Sequence, residues 1–172
     1  LVHRPRGKAK AKIAWVGKGI TFDAGGYNLK TLGNIETMKC DMGGAAAVMG
    51  ALVAAARMDL PVEIHGVIPL AENLVSGGAY KPGDVLRTRA GKTVEINNTD
   101  AEGRLILADA LAYVDTKVKP EVVIDLATLT GAARVALGAD IAPFYTDDAA
   151  LAAALSDAGA AVADPVWRMP FH

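Results

Sequence analysis

Asn98-Thr99-Asp100-Ala101-Glu102-Gly103-Arg104-Leu105 sets two carboxylates and a guanidinium within five positions, between a strand-like run and a helix-like run. Asp100 and Glu102 are two apart in a segment expected to be extended, so both side chains can face one side and share a cation. Upstream, Lys18, Asp23 and Asp41 each lie near glycines or at the end of an apolar run. These five residues are expected to converge on a pair of divalent metal ions. The four carboxylates would balance two dications, and without metal they would repel one another and push their pKa values upward. Two ions sharing a bridging carboxylate polarise a carbonyl and bring a bound water toward a pKa of about 7. All-oxygen ligation suits Mn²⁺ or Mg²⁺ and admits Zn²⁺ less typically.

From spacing alone Lys18 and Lys30 are ordinary basic residues, although a lysine beside a dication can lose its proton and serve as a ligand. Arg104, always charged, is suited to holding an anion bidentately. Asp41 also reads as a capping acid, because a carboxylate ahead of a helix meets the positive end of its dipole. His65 sits mid-strand among apolar residues and reads as a core or sheet-face histidine outside the site. The glycine-rich stretch Gly19 to Gly26 matches neither phosphate-loop spacing. On these grounds the chain is a metal-dependent hydrolase of unspecified bond type, set against a plain α/β domain carrying caps and surface charges.

The elements that must position these residues alternate. Ile13–Gly17, Val62–Leu70 and Val122–Leu126 read as buried strands, and Val85–Thr88 with Thr93–Ile96 as a hairpin. Gly43–Met58, a stretch with Leu107, Ala110, Leu111 and Val114 on one stripe, and about Asp147 to Val162 read as helices, the last with Asp147 as N-cap. Gly19–Gly26 and Ala71–Asp84 read as loops. The expected fold class is α/β, a mainly parallel (mixed) sheet flanked by helices, with ligands beyond the carboxyl ends of the strands.

The 172 residues suit one domain with a substantial core, and 52% apolar with 22% charged residues is a globular balance. Lys and Arg number 18 against 19 Asp and Glu, which gives no ground for a nucleic acid or anionic membrane partner. One cysteine, Cys40, excludes an internal disulfide and fits a reducing compartment. No apolar run near 18 residues and no signal peptide stand out, so a cytoplasmic location is expected. The chain has no initiator Met and stops at Phe171-His172 without a tail signal, and is expected to be a piece of something longer.

Three stretches, Val16–Asp23, Met38–Ala46 and Asn98–Leu105, strongly resemble the leucyl aminopeptidase family of cytosolic dinuclear metallo-exopeptidases, the last being that family's signature. The likeness runs on through Ala71-Glu72-Asn73, Tyr80–Asp84 and Asp125–Gly131, with Tyr27 and Asn73–Gly77 closer to its bacterial peptidase B branch. It implies a phosphorylase/hydrolase-like catalytic domain over residues 1–172, incomplete at both ends. It further implies that Asp23 and Glu102 bridge both metals, that Asp100 serves the loosely held ion, and that Lys18 and Asp41 complete the tightly held one. Lys30 would stabilise the oxyanion, and Arg104 would position a bicarbonate acting as general base. Met38 would form one wall of the side-chain pocket, and Thr128, Leu129 and Gly131 the backbone-binding edge. Peptides with a free N-terminus would be the substrates and a homohexamer the assembly. Ala24 stands where the family usually has Ser, and Cys40 at a variable position. The alternatives are a two-metal phosphoesterase and a non-catalytic assembly or binding module.

Overall fold

A computed structural model describes residues 1–171, which fall into two compact units that divide between Leu129 and Thr130. The first begins with β1 (Val2–His3), β2 (Lys12–Gly17) and β3 (Gly19–Asp23), then a single helical turn α1 (Leu32–Ile35), a 3₁₀ turn at Met38–Cys40, and α2 (Gly43–Arg57). β4 (Glu63–Val67), β5 (Leu70–Asn73), the hairpin β6 (Val85–Arg87) and β7 (Thr93–Glu95), a 3₁₀ turn at Thr99–Ala101, α3 (Glu102–Tyr113) and β8 (Val122–Leu126) follow.

The main sheet has the order β1-β4-β2-β8, with β2 parallel to both β4 and β8 and β1 antiparallel at the edge. This is the mainly parallel, mixed sheet expected. Side-chain alternation along β2 splits the core between its faces. Ala14 and Val16, fully buried, pack with Leu107 and Ala110 of α3 and with Val114 in the π-helical turn (Val114–Val118) that follows it, while Ile13 and Trp15 pack with Leu52, Ala55 and Ile64 on the side of α2. Each fully buried Val or Ile contributes about 1.5–3 kcal/mol. The amino end of α2 presses backbone against backbone: a Cβ on Gly44 would collide with the carbonyl of Leu126, and Ala45 N donates to Lys18 O at 2.8 Å. That contact brings α2 and the turn before it to the carboxyl ends of β2 and β8.

Several expectations are corrected. Gly19–Asp23 and Ala71–Asn73, read as loop, belong to parallel partners, β3 (Gly19–Asp23) and β5 (Leu70–Asn73). Their pairing is non-local and leaves no apolar run in either segment. The expected strand Val62–Leu70 breaks before Leu70, where Pro69 cannot donate to a ladder. Thr99–Ala101 is a 3₁₀ turn rather than extended, capped by Asn98 Oδ1, which accepts from Asp100 N at 2.8 Å. Leu32–Arg57 is apolar enough to cross a membrane by length and composition, but it comprises three separate elements. α2, at 15 residues, spans about 22 Å, short of a bilayer core of about 30 Å.

The second unit contains α4 (Gly131–Leu137), β9 (Ala142–Phe144), α5 (Ala149–Ala161) and β10 (Val166–Arg168), with β9 and β10 parallel. The N-cap of α5 is Asp148, one residue later than expected; its Oδ1 accepts from Ala150 N at 2.9 Å and Leu151 N at 3.0 Å.

Candidate metal centre

Each charged residue of the site comes from a different element of the first unit. β2 ends at Gly17 and delivers Lys18; β3 ends on Asp23. A Gly25-Gly26 turn, with φ of +86° and +62°, reverses the chain toward Lys30, a backbone path that side chains disfavour. The 3₁₀ turn before α2 carries Asp41, and the one before α3 carries Asp100, with Glu102 opening α3.

The arrangement has two halves. Lys18 Nζ lies 2.9 Å from Asp41 Oδ1 and 2.9 Å from Glu102 Oε1, and donates to Thr128 O at 3.1 Å. Lys18, Asp41 and Glu102 are all buried. Thr128 Oγ1 donates to Asp41 Oδ1 at 2.7 Å. In the other half Lys30 Nζ lies 3.0 Å from Asp23 Oδ2 and 2.6 Å from Asp100 Oδ1. Asp41 therefore spends an oxygen on Lys18 and Thr128 and does not cap α2, whose N-cap is Met42.

Burial alone would raise the Asp23 carboxyl, but hydrogen bonds from Lys30, Asn73 and Gly25 and the charge of Lys30 outweigh it, and its pKa falls below the ordinary value. Burial would likewise lower Lys30, and its hydrogen bonds to Asp100 and Asp23 reverse the sign, holding the ammonium charged.

The donor set fits divalent metal. Asp23, Asp100 and Glu102 each offer a carboxylate oxygen, all within 4.8 Å of one another. Four formal negative charges face two ammonium groups, so two negative charges are uncompensated in a largely buried cluster. Asp41 Oδ2, buried, has no hydrogen-bond partner among the described residues. A buried anionic oxygen left unpaired is costly, and a cation removes that cost.

Of the other residues singled out in the sequence, Thr128 joins the cluster through both its hydroxyl and its carbonyl. Met38 is half-buried on the turn leading to Asp41. Arg104 is exposed on the first turn of α3 and makes no side-chain hydrogen bond or ion pair among the described residues. Leu129 is exposed at the end of the first unit, and Gly131 opens α4 in the second.

Spacing did not single out the support of the cluster. Thr99, fully buried, donates its hydroxyl to Gly25 O at 2.6 Å and accepts from Asn28 N at 2.8 Å, tying the glycine turn to the Asp100 turn. Tyr80 OH donates to Thr99 O at 2.7 Å; burial first, then the charges of Glu102, Asp23 and Asp100, push its pKa up to about 12. Asn73 reaches Asp23, Thr99 and Glu102. A mostly apolar cavity of about 200 Å³, lined by Ile20, Tyr80, Leu86, Leu105 and Ile106, lies behind Asn73 and Glu102. The only signal for Asn73 and Tyr80 was their place in the family-like stretches.

Comparison with known proteins gives the family. The family model described as the cytosol aminopeptidase family, catalytic domain, matches residues 1–172. A probable cytosol aminopeptidase of Chlorobium luteolum is 56% identical over 166 residues, covering 96% of this chain and 33% of that protein. The leucine aminopeptidase of Caenorhabditis elegans superposes with a TM-score of 0.94 at 42% identity, over 99% of this chain and 35% of that one. The bottromycin maturation enzyme BotP, solved in complex with Mn, gives 0.91 at 43% identity, over 98% of this chain and 37% of its own. The chain thus spans about a third of the length of the relatives it matches. A buried four-carboxylate, two-lysine cluster at the carboxyl ends of a mainly parallel sheet accompanies a match along the whole sequence to the family's catalytic domain, and that match establishes that this chain belongs to the cytosol aminopeptidase family.

Proposed function

We propose that this chain carries the catalytic centre of a dinuclear metal-dependent aminopeptidase, which hydrolyses the first peptide bond of peptides bearing a free N-terminus. The observation that carries the reading is the charge imbalance of the buried cluster, together with the unpartnered Asp41 Oδ2. Asp23, Asp41, Asp100 and Glu102 would hold two divalent ions, with Lys18 as a further ligand in the neutral-amine form alone. Mn²⁺ is the first choice, given oxygen ligands and a relative solved with Mn, with Zn²⁺ or Mg²⁺ as other occupants. When bound, such a pair polarises the peptide carbonyl and makes water nucleophilic near neutral pH.

The chain's own residues do the rest. Lys30, kept protonated between Asp23 and Asp100, supplies a fixed positive charge for the oxygen that becomes negative as the peptide carbonyl is attacked. Arg104, exposed and free of ion pairs among the described residues, is available to hold a bicarbonate that takes up a proton. The substrate's free α-amino group would bind a metal held near Asp41, which restricts cleavage to the first bond. Thr128, Leu129 and Gly131 are proposed to bind the substrate backbone, and Met38 to wall the side-chain pocket. A cytoplasmic homohexamer is the setting proposed for the full-length protein.

The test is hydrolysis of leucine p-nitroanilide by the full-length protein with Mn²⁺ added. Turnover that is metal-dependent and lost in Asp100→Ala is expected; turnover unchanged in Asp100→Ala overturns the assignment.

A further inference from the structure

We infer that Asn73 is a positioning residue of the metal centre: its side-chain amide holds Asp23 and Glu102 so that each keeps one oxygen turned toward the cation site. The inference rests on the metal-binding reading of the cluster proposed above, and concerns a residue that contributes no ligand of its own.

Asn73 ends β5, and the parallel register places it beside Asp23 at the end of β3. Ala24 N donates to Asn73 O at 2.8 Å, locking the backbone on the far side of that pair. The residue is 4% exposed; the two hydrogens of its Nδ2 go to Asp23 Oδ1 at 2.8 Å and Thr99 O at 2.9 Å, and one of them is shared with Glu102 Oε2 at 3.5 Å. All three partners are pure acceptors, so the NH₂ end of the amide must face them.

The oxygens divide accordingly. Asp23 Oδ1 takes neutral donors, Asn73 and Gly25 N at 2.8 Å each, while Asp23 Oδ2 faces the Lys30 ammonium at 3.0 Å. Glu102 turns Oε2 to Asn73 and Oε1 to the Lys18 ammonium at 2.9 Å. One neutral amide therefore orients two carboxylates contributed by different elements, without consuming the negative charge a cation needs. A lysine in its place would neutralise that charge, and an aspartate would bring a fifth carboxylate against Asp23. Groups that orient metal ligands through hydrogen bonds change metal affinity by about 10- to 100-fold when lost.

Mn²⁺ titration calorimetry on the full-length protein tests this, with Tyr80→Phe as the comparison. Tyr80 donates to the same Thr99 carbonyl at 2.7 Å and, among the described residues, makes no hydrogen bond to a carboxylate, so its loss loosens the same turn and spares both ligands. Asn73→Ala is expected to weaken Mn²⁺ binding about tenfold or more, and Tyr80→Phe less than about twofold, at comparable losses in melting temperature. Should Asn73→Ala fail to fold, Asn73→Ser, which retains one donor, is read by the same criterion. Mn²⁺ affinity in the Asn73 variant within about twofold of the parent overturns the inference and leaves the metal reading standing. Equal weakening in both variants also overturns it, since Asn73 would then act only through the Thr99 turn. A parent protein that binds no Mn²⁺ overturns the metal reading and the inference together.

Discussion

Lys18 lies directly across the first turn of α3 at Gly103: a Cβ added to that glycine would fall 2.5 Å from Lys18 Cε and 2.7 Å from its Nζ. Gly103 is buried, as is Lys18, whose ammonium joins Asp41 to Glu102. Helix propensity alone would make Gly103→Ala stabilising by about 1 kcal/mol. The contact reverses the sign. We expect the variant to lose about 1–3 kcal/mol in urea unfolding, because the lysine must leave both carboxylates or α3 must shift. A stabilised variant would show that Lys18 has another path to its partners.

Lys18 itself is the counter-charge of a buried pair, at 3% side-chain exposure against 5% for Asp41 and 6% for Glu102. Lys18→Met preserves the volume and removes the charge, leaving two carboxylates facing one another in the interior. In the presence of a chelator the expected loss is about 3–5 kcal/mol, since breaking a buried pair strands its partners. Urea denaturation measures it. A loss below about 1 kcal/mol would mean that water or a rearranged donor replaces the ammonium.

Much of this site was legible in the sequence, for an identifiable reason. Lys18 and the Asp100–Glu102 pair stand at places where strand and helix patterns change, and the main sheet's strands β2, β4 and β8 are apolar enough to be read directly. The pairing of β3 with β5 was not legible, because Gly19–Asp23 and Leu70–Asn73 stabilise each other across 50 residues and neither shows a strand pattern alone. The same pairing is what sets Asn73 beside Asp23, so the residue that orients the carboxylates was hidden along with it. Asp100 and Glu102 do share one site, but through a 3₁₀ turn running into α3 rather than the extended geometry expected. Asp148 rather than Asp147 caps α5 because only the local backbone, extended at Asp148, decides between adjacent acids.

Lys30 bridges Asp23 and Asp100 across the other half of the cluster, with its ammonium stabilised in the charged form. If that charge serves the developing oxyanion, Lys30→Ala should lower kcat for a leucine anilide by about 10²–10³ with a much smaller change in KM. Lys30→Arg keeps the charge but changes its shape, and is expected to recover only part of the loss. An unchanged kcat with a raised KM would assign Lys30 to substrate binding instead.

Away from the site, His65 Nε2 lies 2.6 Å from Glu63 Oε1, two residues earlier on the same face of β4. The residue thus has the sheet-face role expected of it, with an acidic neighbour that spacing had not suggested. The hydrogen bond to His65, followed by the charges of Lys12, His65 and Arg4 and opposed by some desolvation, lowers the Glu63 pKa below its ordinary value. A carboxyl lowered in the folded state contributes stability that is present above its unfolded pKa of about 4.5 and is lost as pH falls through the folded value. Glu63→Gln should therefore melt below the parent near neutral pH, and the gap should close as the pH falls from about 5 toward 3. It should also narrow in high salt, since the charges beside Glu63 are screened at the surface. Melting temperatures of both proteins across that range decide the matter: a gap that stays constant with pH would show that ionisation of Glu63 adds nothing to the fold.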